Sequence, residues 1–452
     1  MLYRKIRSYI DDHLRSNEDK ILLIEGARQI GKSYIIRDVG TELYDNYVEI
    51  NFVEDDAGDK IFRNVRTTEE FYLNLSMVAG FKLDKYENTL VFIDEIQHYP
   101  QFLTMLKFLR QEHRYRFICS GSLLGIALKK TVSVPVGSII PKKMYQLDFE
   151  EFLIANDFGE DAIVHLRKSF EQKQPLAPEV HDKVLSLFKR YLLVGGMPDA
   201  VNEYLNSHNI VKVREVQEAI RELYGVDASR YEEDAAKKLY IRRIYDMIPS
   251  QMENKKKRIV AKDILDRKGD RFSNYMEEFE YLINSGITIP SHAISNPKYP
   301  PAESQQKNLL KLYMNDVGML SSQLYHYNIQ PILNDIASIN LGSVYESAVA
   351  QELKAHYEKL FYYDNKQKGK VDFLVADSGT MSVLPIEVKS GKDYTVHSAL
   401  DNLMTIQDYH IISSIVLSNE REIKTKGNIL YLPIYYVMFL ENKVPEKENL
   451  YF

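Results

Sequence analysis

The chain has 452 residues, 45% hydrophobic and 27% charged, with a formal net charge of −6, and this length indicates about three domains. No apolar run reaches the ~18 residues of a membrane-spanning helix, and the N-terminus lacks the apolar stretch of a secretory signal, so we expect a cytoplasmic protein without a membrane partner. The single cysteine, Cys119, excludes an intrachain disulfide and a cysteine zinc cluster.

The first predicted elements are a buried strand at 21–24 and a helix that begins near residue 33. Residues 26–33 have glycine, lysine and serine at the defining positions of a phosphate-binding P-loop, in the strand-to-helix context that this loop requires. We therefore predict ATP or GTP as the ligand; a chance glycine-rich loop is the alternative. The candidate nucleotide contacts are Gly26, Ala27, Arg28, Gln29, Ile30, Gly31, Lys32, Ser33 and Tyr34.

Two of these residues have specific predicted roles. Lys32 places a positive charge on the outer phosphates and is also a candidate catalytic residue. The Ser33 hydroxyl is a candidate Mg²⁺ ligand.

A second motif lies at 90–95, where four apolar residues end in Asp94 and Glu95. The pattern is typical of a Walker B strand, because a parallel strand buried on both faces is continuously apolar and ligands bind at its carboxyl end. We predict that Asp94 holds Mg²⁺ and that Glu95 polarises the water that attacks the γ-phosphate. The alternative is a strand that simply ends in solvated acids.

The first 150 residues alternate strand-like and helical patterns, which predicts an α/β nucleotide-binding domain at 1–150 with a five-stranded sheet. The predicted strands lie near 21–25, 47–52, 90–94, 115–120 and 144–147. The predicted helices include 33–43 and 102–112. Residues 151–230 are mainly helical and are predicted to form a lid.

Two further domains are predicted after the lid. Three helices and a hairpin at 231–322 indicate a winged helix. Residues 323–447 have the order αβββαβ, with a helix at 342–357 and strands near 361–363, 371–376, 383–388 and 411–417, which indicates a separate α/β domain. Residues 448–452 resemble the remnant of a protease-cleavage tag.

With these motifs and this domain order, nearly the whole chain resembles the prokaryotic AAA-type ATPases that carry a C-terminal domain of unknown function. The resemblance selects ATP and Mg²⁺ and implies a homo-oligomer such as a hexameric ring. It makes Ser122, in Ser120-Gly121-Ser122, a catalytic sensor of the γ-phosphate; a plain strand-to-turn segment is the alternative. It also places Pro198, in Gly196-Met197-Pro198, near the nucleotide base, although a simple helix break is equally compatible.

One departure from this family affects the predicted mechanism. Family members often have a basic residue after the glycine that corresponds to Gly137, whereas this chain has Ser138. If that residue is an arginine finger, the candidates that remain here are Arg110, Arg114 and Arg116. Its loss would predict slow turnover, since a finger contributes ~10³ to 10⁵ in rate.

The C-terminal domain resembles PD-(D/E)xK nucleases at Asp372 and at Glu387-Val388-Lys389. The resemblance implies that Asp372, Glu387 and Glu346 share a second divalent metal, Mg²⁺ or Mn²⁺, and that Lys389 activates water. Residues 387 and 389 point to the same face of a strand, as joint action requires. A nuclease-like fold kept only for assembly is the alternative.

The densest basic run is 255–258, Lys-Lys-Lys-Arg, which is compatible with phosphate contacts or with a solvated loop. The leading hypothesis is a Mg²⁺-dependent ATPase whose hydrolysis rearranges domains that act on DNA or on a partner protein. The alternatives are an ATP-gated, metal-dependent DNA nuclease and a non-cleaving, nucleotide-dependent protein switch.

Overall fold

The computed structural model describes residues 2–51, 60–80, 83, 85–122, 137–230, 234–254, 257–336, 339–391 and 393–442. Lys255, Lys256 and the predicted tag remnant at 448–452 lie outside these residues. The chain divides into two compact units. The first consists of Tyr3–Gln146 with Asn284–Ile287, and almost all of the remaining chain belongs to the second.

The first unit contains a five-stranded parallel sheet in the order β2–β3–β4–β1–β5. The strands are β1 Ile21–Glu25, β2 Asn46–Asn51, β3 Thr89–Asp94, β4 Arg116–Gly121 and β5 Ile139–Lys143. The predicted five-stranded parallel α/β sheet is therefore confirmed.

The fifth strand is the one element of this sheet that the prediction misplaced. It lies at Ile139–Lys143, not at 144–147, and it is an edge strand whose residues are partly exposed. Because an edge strand can face solvent, it lacks the continuous apolar run that identified the inner strands. The apolar residues Met144 and Leu147 are buried just beyond its end and produced the misplaced prediction.

Helices of the first unit pack on the sheet and bury an aromatic cluster. They are Lys5–Arg15, Lys32–Leu43, Thr68–Ala79 and Pro100–Glu112. Phe71 and Phe102 contact each other with ring centroids 5.8 Å apart, in the same core as Val91 and Ile93 of β3. The apolar contacts of these rings hold β3 rigidly, which positions the residues at its carboxyl end.

The second unit begins with a run of helices, in the region where the sequence pattern after residue 150 is mainly helical. These are Phe149–Ala155, Glu160–Glu171, Pro178–Val194, Pro198–Ser207, Ile210–Arg230 and Ala235–Glu253. The first starts at a capping box in which Asp148 and Glu151 satisfy each other's backbone N–H groups. Among the described residues no helix has the length and apolarity to cross a membrane.

The rest of the second unit forms one eight-stranded sheet, in the order β12–β13–β11–β10–β9–β8–β6–β7. The strands are β6 Thr288–Ile294, β7 Gln305–Met314, β8 Leu360–Asn365, β9 Gly369–Asp377, β10 Ser382–Lys389, β11 Ser414–Ser418, β12 Lys424–Lys426 and β13 Ile429–Pro433. The helices of this region are Lys262–Leu265, Met276–Asn284, Val317–Tyr325, Gln330–Leu333, Gly342–His356 and Ser398–Met404.

The predicted winged helix is not confirmed. The hairpin β6–β7 exists, but β6 also pairs in parallel with β8, so the hairpin extends the C-terminal sheet. A hairpin is visible in the sequence because its two strands are close along the chain. The second partner of β6 begins at Leu360, and a pairing over that separation leaves no local pattern.

Candidate active site

The P-loop connects the end of β1 to the helix that begins at Lys32. Gly31 and Gln29 have φ angles of 88° and 63°, in the left-handed region. A side chain at Gly26 would place its Cβ 2.3 Å from the carbonyl oxygen of Met144. The first glycine is therefore required for close packing and the second for backbone conformation, which gives the loop a fixed shape.

Lys32 is buried and donates hydrogen bonds to the carbonyl oxygens of Gly26 and Ala27, at 3.0 and 2.7 Å. Burial lowers the pKa of Lys32, and the nearby carboxylates of Glu95 and Asp94 act in the opposite direction. The ammonium group is thus held inside the loop by backbone oxygens and acidic side chains.

Asp94 ends β3 and is the centre of a hydrogen-bond network. One carboxylate oxygen accepts from the Ser33 hydroxyl at 2.6 Å and from the Asn51 amide at 3.4 Å. The other accepts from Ser120 and from the backbone N–H of Glu95. Burial raises the pKa of Asp94, while the hydrogen bonds from Ser120 and Ser33 lower it.

Ser33 and Asp94 fit the predicted magnesium site. Their oxygens lie 2.6 Å apart and come from a hydroxyl and a carboxylate, which are hard donors of the kind that Mg²⁺ prefers. The P-loop lysine lies beside them, as phosphate binding requires. The two residues would hold the ion and leave its other positions for water and phosphate oxygens.

Glu95 follows Asp94 with a left-handed backbone, φ 47°. Three polar contacts converge on its Oε2 atom: the Ser122 hydroxyl at 3.2 Å, the Gln97 amide, and the Arg28 guanidinium at 3.6 Å. The predicted catalytic residues Glu95 and Ser122 are thus brought together. Oε1 of Glu95 takes none of these three contacts.

Three residues of this network were not among the predicted site residues: Asn51, Ser120 and Gln97. Asn51 ends β2, beside β3 in the sheet, so the rule that ligands gather at the carboxyl ends of parallel strands could have identified it. Ser120 belongs to the predicted sensor segment Ser120-Gly121-Ser122, but its hydroxyl donates to Asp94 and not to Glu95. Gln97 lies in a short 3₁₀ turn and has no sequence signal.

Tyr34 and Pro198 stay predictions as nucleotide contacts. Tyr34 is exposed on the first turn of the P-loop helix. Pro198 lies in the second unit, where it is the first residue of its helix. Just before it, the backbone N–H of Gly196 donates to buried Asp316 at 2.7 Å. This contact gives the turn at Gly195-Gly196, called the Gly-Gly turn below, a packing role within the second unit.

The three candidate arginine fingers are all engaged inside the first unit. Arg110 forms a salt bridge with Asp19 at 2.7 Å and donates to the carbonyl of Gly137. Arg114 lies over the ring of Tyr72, 4.6 Å from its centroid. Arg116 donates to three backbone carbonyls, those of residues 13, 16 and 18. Each side chain therefore stabilises the first unit.

Glu346, a predicted ligand of the second metal, is bound by lysines. It is buried and forms salt bridges with Lys257 at 2.5 Å and Lys311 at 2.7 Å, and it accepts a hydrogen bond from Tyr313. Burial alone would raise its pKa, but the ammonium groups of Lys311 and Lys257 lower the pKa of Glu346 to about 2. Two cations from the chain itself neutralise this carboxylate.

Asp372 and Glu387 extend this charged cluster, in which Glu387 is buried and Asp372 is half-buried. Asp372 accepts from the backbone N–H of Val388 at 2.9 Å, and Glu387 lies 3.0 Å from the Lys389 ammonium. Burial, together with the charge of Glu346, raises the pKa of Asp372, and burial with the charge of Asp372 raises the pKa of Glu387 to about 8.

The second divalent-metal site is not supported. Within the part of the chain that the structure describes, no group of three or more His, Cys, Asp or Glu side chains is arranged to hold a metal ion. The physical reason at the predicted site is that Lys257 and Lys311 already balance the charge of Glu346. Glu346 and Glu387 of the predicted nuclease signature therefore lie in ion pairs with lysines, Glu346 with Lys257 and Lys311 and Glu387 with Lys389.

The two described residues of the basic run 255–258 form ion pairs within the chain. Lys257 binds Glu346, and the Arg258 guanidinium lies 3.5 Å from Asp364. Both side chains are about three-quarters buried, at 22% and 23% exposure. These two residues therefore serve the C-terminal cluster, which argues at these positions against both phosphate contacts and a solvated loop.

Comparison with protein-family models agrees with the P-loop site. Residues 18–153 match an AAA domain, residues 185–327 match a domain of unknown function (DUF8612), and residues 341–437 match another (DUF4143). The first unit therefore contains an AAA-type P-loop ATPase domain. No curated protein matches the chain.

Several solved structures are similar to this chain at low sequence identity. A Walker-type ATPase of Pyrococcus abyssi is 14% identical, with 74% of this chain and 96% of that chain covered and a TM-score of 0.42. The Aeropyrum pernix ORC1 protein, solved in complex with DNA, is 12% identical, with coverages of 74% and 91% and a TM-score of 0.31. The Thermotoga maritima RuvB Holliday junction branch migration motor is 12% identical, with coverages of 64% and 89% and a TM-score of 0.31.

Proposed function

We propose that the chain is a Mg²⁺-dependent ATPase that uses ATP binding and hydrolysis to rearrange its second unit, which acts on DNA or on a partner protein. The observation that carries the ATPase part is the contact of Ser33 with Asp94 at 2.6 Å. It joins the P-loop to the Walker B strand, with Lys32 and Glu95 beside it.

The site residues have different proposed roles, which follow from the chemistry of their side chains. The P-loop backbone and Lys32 bind the phosphates, and Ser33 and Asp94 hold Mg²⁺, which supplies charge neutralisation to the phosphates when bound. Glu95, anchored at Oε2, orients the attacking water through its other oxygen and accepts a proton. Ser122 and Arg28 keep that carboxylate in place.

The proposal that hydrolysis moves the second unit is supported by the hydrogen bonds at its first residues. The backbone N–H of Leu147 donates to the carbonyl of Gly196 at 2.8 Å, and its carbonyl accepts from the Tyr191 hydroxyl at 2.8 Å. The N–H of Phe149 donates to Glu352 at 2.9 Å. A displacement of the segment after β5 would thus reach the helices Pro178–Val194 and Gly342–His356.

This coupling is measurable by hydrogen exchange. A slowly hydrolysed ATP analogue should change the exchange of amides in Gly342–His356, and the change should be absent in Lys32→Ala. Identical exchange with and without the analogue would argue against coupling.

ATP turnover measured with and without DNA separates the two kinds of target. Turnover that DNA stimulates would favour a DNA motor, while turnover that DNA does not change would favour the protein switch.

We also propose a homo-oligomer, because AAA-type sites commonly lie at subunit interfaces. Since Arg110, Arg114 and Arg116 are engaged within their own unit, we expect slow turnover by a complex that lacks a finger from these positions. Native mass measurements with and without the analogue test assembly. A monomer under both conditions at micromolar concentration would contradict it.

The direct test of the ATPase is phosphate release. Wild-type protein should release phosphate from ATP in the presence of Mg²⁺, and excess chelator should stop this release. Lys32→Ala should release no phosphate under either condition. Metal-independent release, or equal release by wild type and variant, would overturn the proposed function.

A further inference from the structure

Gln97 lies between the two side chains that the proposed function places at the attacking water. Its amide nitrogen donates to Oε2 of Glu95 and to the hydroxyl of Ser122, which lies 3.2 Å away. Ser122 in turn donates to the same Glu95 oxygen at 3.2 Å. The three side chains form a closed triangle at the carboxyl ends of β3 and β4.

The backbone explains why Gln97 occupies this position. Glu95 has left-handed φ, and the 3₁₀ turn Ile96–His98 that follows is closed by the bond from the His98 N–H to the Glu95 carbonyl at 3.1 Å. This turn reverses the chain immediately after β3, so the side chain of Gln97 returns toward that of Glu95. Gln97 is only 7% exposed, which restricts its rotamers.

The orientation of the amide follows from its partners. Oε2 of Glu95 is an acceptor when the carboxylate is ionised, so the amide atom that faces it must be the nitrogen. The carbonyl oxygen, Oε1, is then directed away from Glu95. It is buried and has no hydrogen-bond partner among the residues that the structure describes. A buried carbonyl oxygen that lacks a protein partner can accept a hydrogen bond from a bound water.

We propose that Gln97 is a positioning residue for hydrolysis, whose amide nitrogen holds Glu95 and Ser122 while its carbonyl oxygen accepts a hydrogen bond from the attacking water. This inference rests on the proposed ATPase function. In the reaction, the water oxygen bonds to the γ-phosphorus and the bond from that phosphorus to the β–γ bridging oxygen breaks. One water proton passes to Glu95 and the other stays on the phosphate product. Gln97 neither gains nor loses a proton.

A purely structural role predicts a different outcome. If Gln97 only packed beneath the turn, its replacement would shift Asp94 and Glu95 together and would weaken every nucleotide complex. If it positions water, the effect is confined to complexes in which the water is in line with phosphorus. Two fluoride analogues separate these cases: ADP with beryllium fluoride mimics bound ATP, and ADP with aluminium fluoride mimics the reaction's transition state.

The experiment compares Gln97→Leu, Gln97→Glu and the control Gln111→Leu, which replaces an exposed glutamine of the first unit. Gln97→Leu removes the donor and the acceptor at similar volume. Gln97→Glu keeps the shape and an acceptor, but repels Glu95, so it remains informative if the leucine variant does not fold. The affinities for ADP, ADP–beryllium fluoride and ADP–aluminium fluoride are measured together with kcat and KM.

Both Gln97 variants should keep ADP and beryllium fluoride affinities within about threefold, lose about tenfold or more in aluminium fluoride affinity, and lose ~10²-fold in kcat with little change in KM. Gln111→Leu should resemble wild type. Equal weakening of all three complexes, or an unchanged kcat and aluminium fluoride affinity, would overturn the role of Gln97. Failure of the wild type to bind or hydrolyse ATP would instead contradict the proposed function.

Discussion

The Ser33 hydroxyl donates to Asp94 across 2.6 Å, although the two residues are 61 positions apart in the chain. Ser33 lies in the first turn of the P-loop helix and Asp94 ends β3, and the parallel sheet brings these positions to the same edge. Burial raises the pKa of Asp94, and the hydroxyl hydrogen bonds from Ser120 and Ser33 oppose that effect. The sheet thus assembles an oxygen-rich site beside the phosphate loop.

Glu346→Gln should destabilise the second unit by ~3–5 kcal/mol at pH 7, because it leaves Lys257 and Lys311 buried without their anion. Its wild-type pKa of about 2 lies below the ordinary value of ~4.3 for glutamate. The stabilisation should therefore be complete above pH ~5 and disappear as the pH falls toward 2. Denaturant unfolding of wild type and variant between pH 3 and 7 measures it.

A matched control for this prediction is Lys237→Met, which breaks the exposed pair of Lys237 with Glu277. Solvent screens that pair, so the variant should differ little from wild type at any pH. If the difference in unfolding free energy between Glu346→Gln and wild type stays constant from pH 7 to pH 3, the lysines do not depress the pKa of Glu346.

Divalent metal should not stabilise the C-terminal cluster, since Lys257 and Lys311 already neutralise Glu346. With the ATP site disabled by Lys32→Ala, the Tm of the second unit should be the same in Mn²⁺ as in chelator. Differential scanning calorimetry of this variant, alone and combined with Asp372→Asn, provides the comparison. An increase in Tm with Mn²⁺ that disappears in the combined variant would restore the metal site.

Gly195→Ala should destabilise the second unit by ~1–3 kcal/mol. Gly195 has φ 74°, and an added Cβ would lie 2.1 Å from a carboxylate oxygen of Asp316. The control is Gly159→Ala, where an added Cβ meets nothing within 4 Å. Thermal unfolding compares the two variants, and equal Tm values would contradict the packing role of the Gly-Gly turn.

The P-loop and the Walker B strand were predictable because each is a contiguous run whose chemistry and flanking elements are visible together, as at Lys32 and Asp94. Gln97 was not predictable, since its role depends on a turn that returns its side chain to Glu95. The pairing of Glu346 with Lys257 and Lys311 joins a helix to a loop and to β7, and sequence spacing does not reveal it. For the same reason the pairing of β6 with β8 was missed, and with it the place of the hairpin in the larger sheet.

In the proposed function Lys32 binds the phosphates and Glu95 activates water, and parallel measurements of ATP affinity and single-turnover phosphate release separate these two roles. Lys32→Ala should lose ATP affinity, because it removes the buried P-loop cation. Glu95→Gln should bind Mg²⁺ and ATP within about threefold of wild type and lose ~10²-fold or more in turnover, because an amide does not accept the water proton. An equal loss of ATP affinity in the two variants, or wild-type turnover by Glu95→Gln, would show that the two residues do not divide the roles in this way.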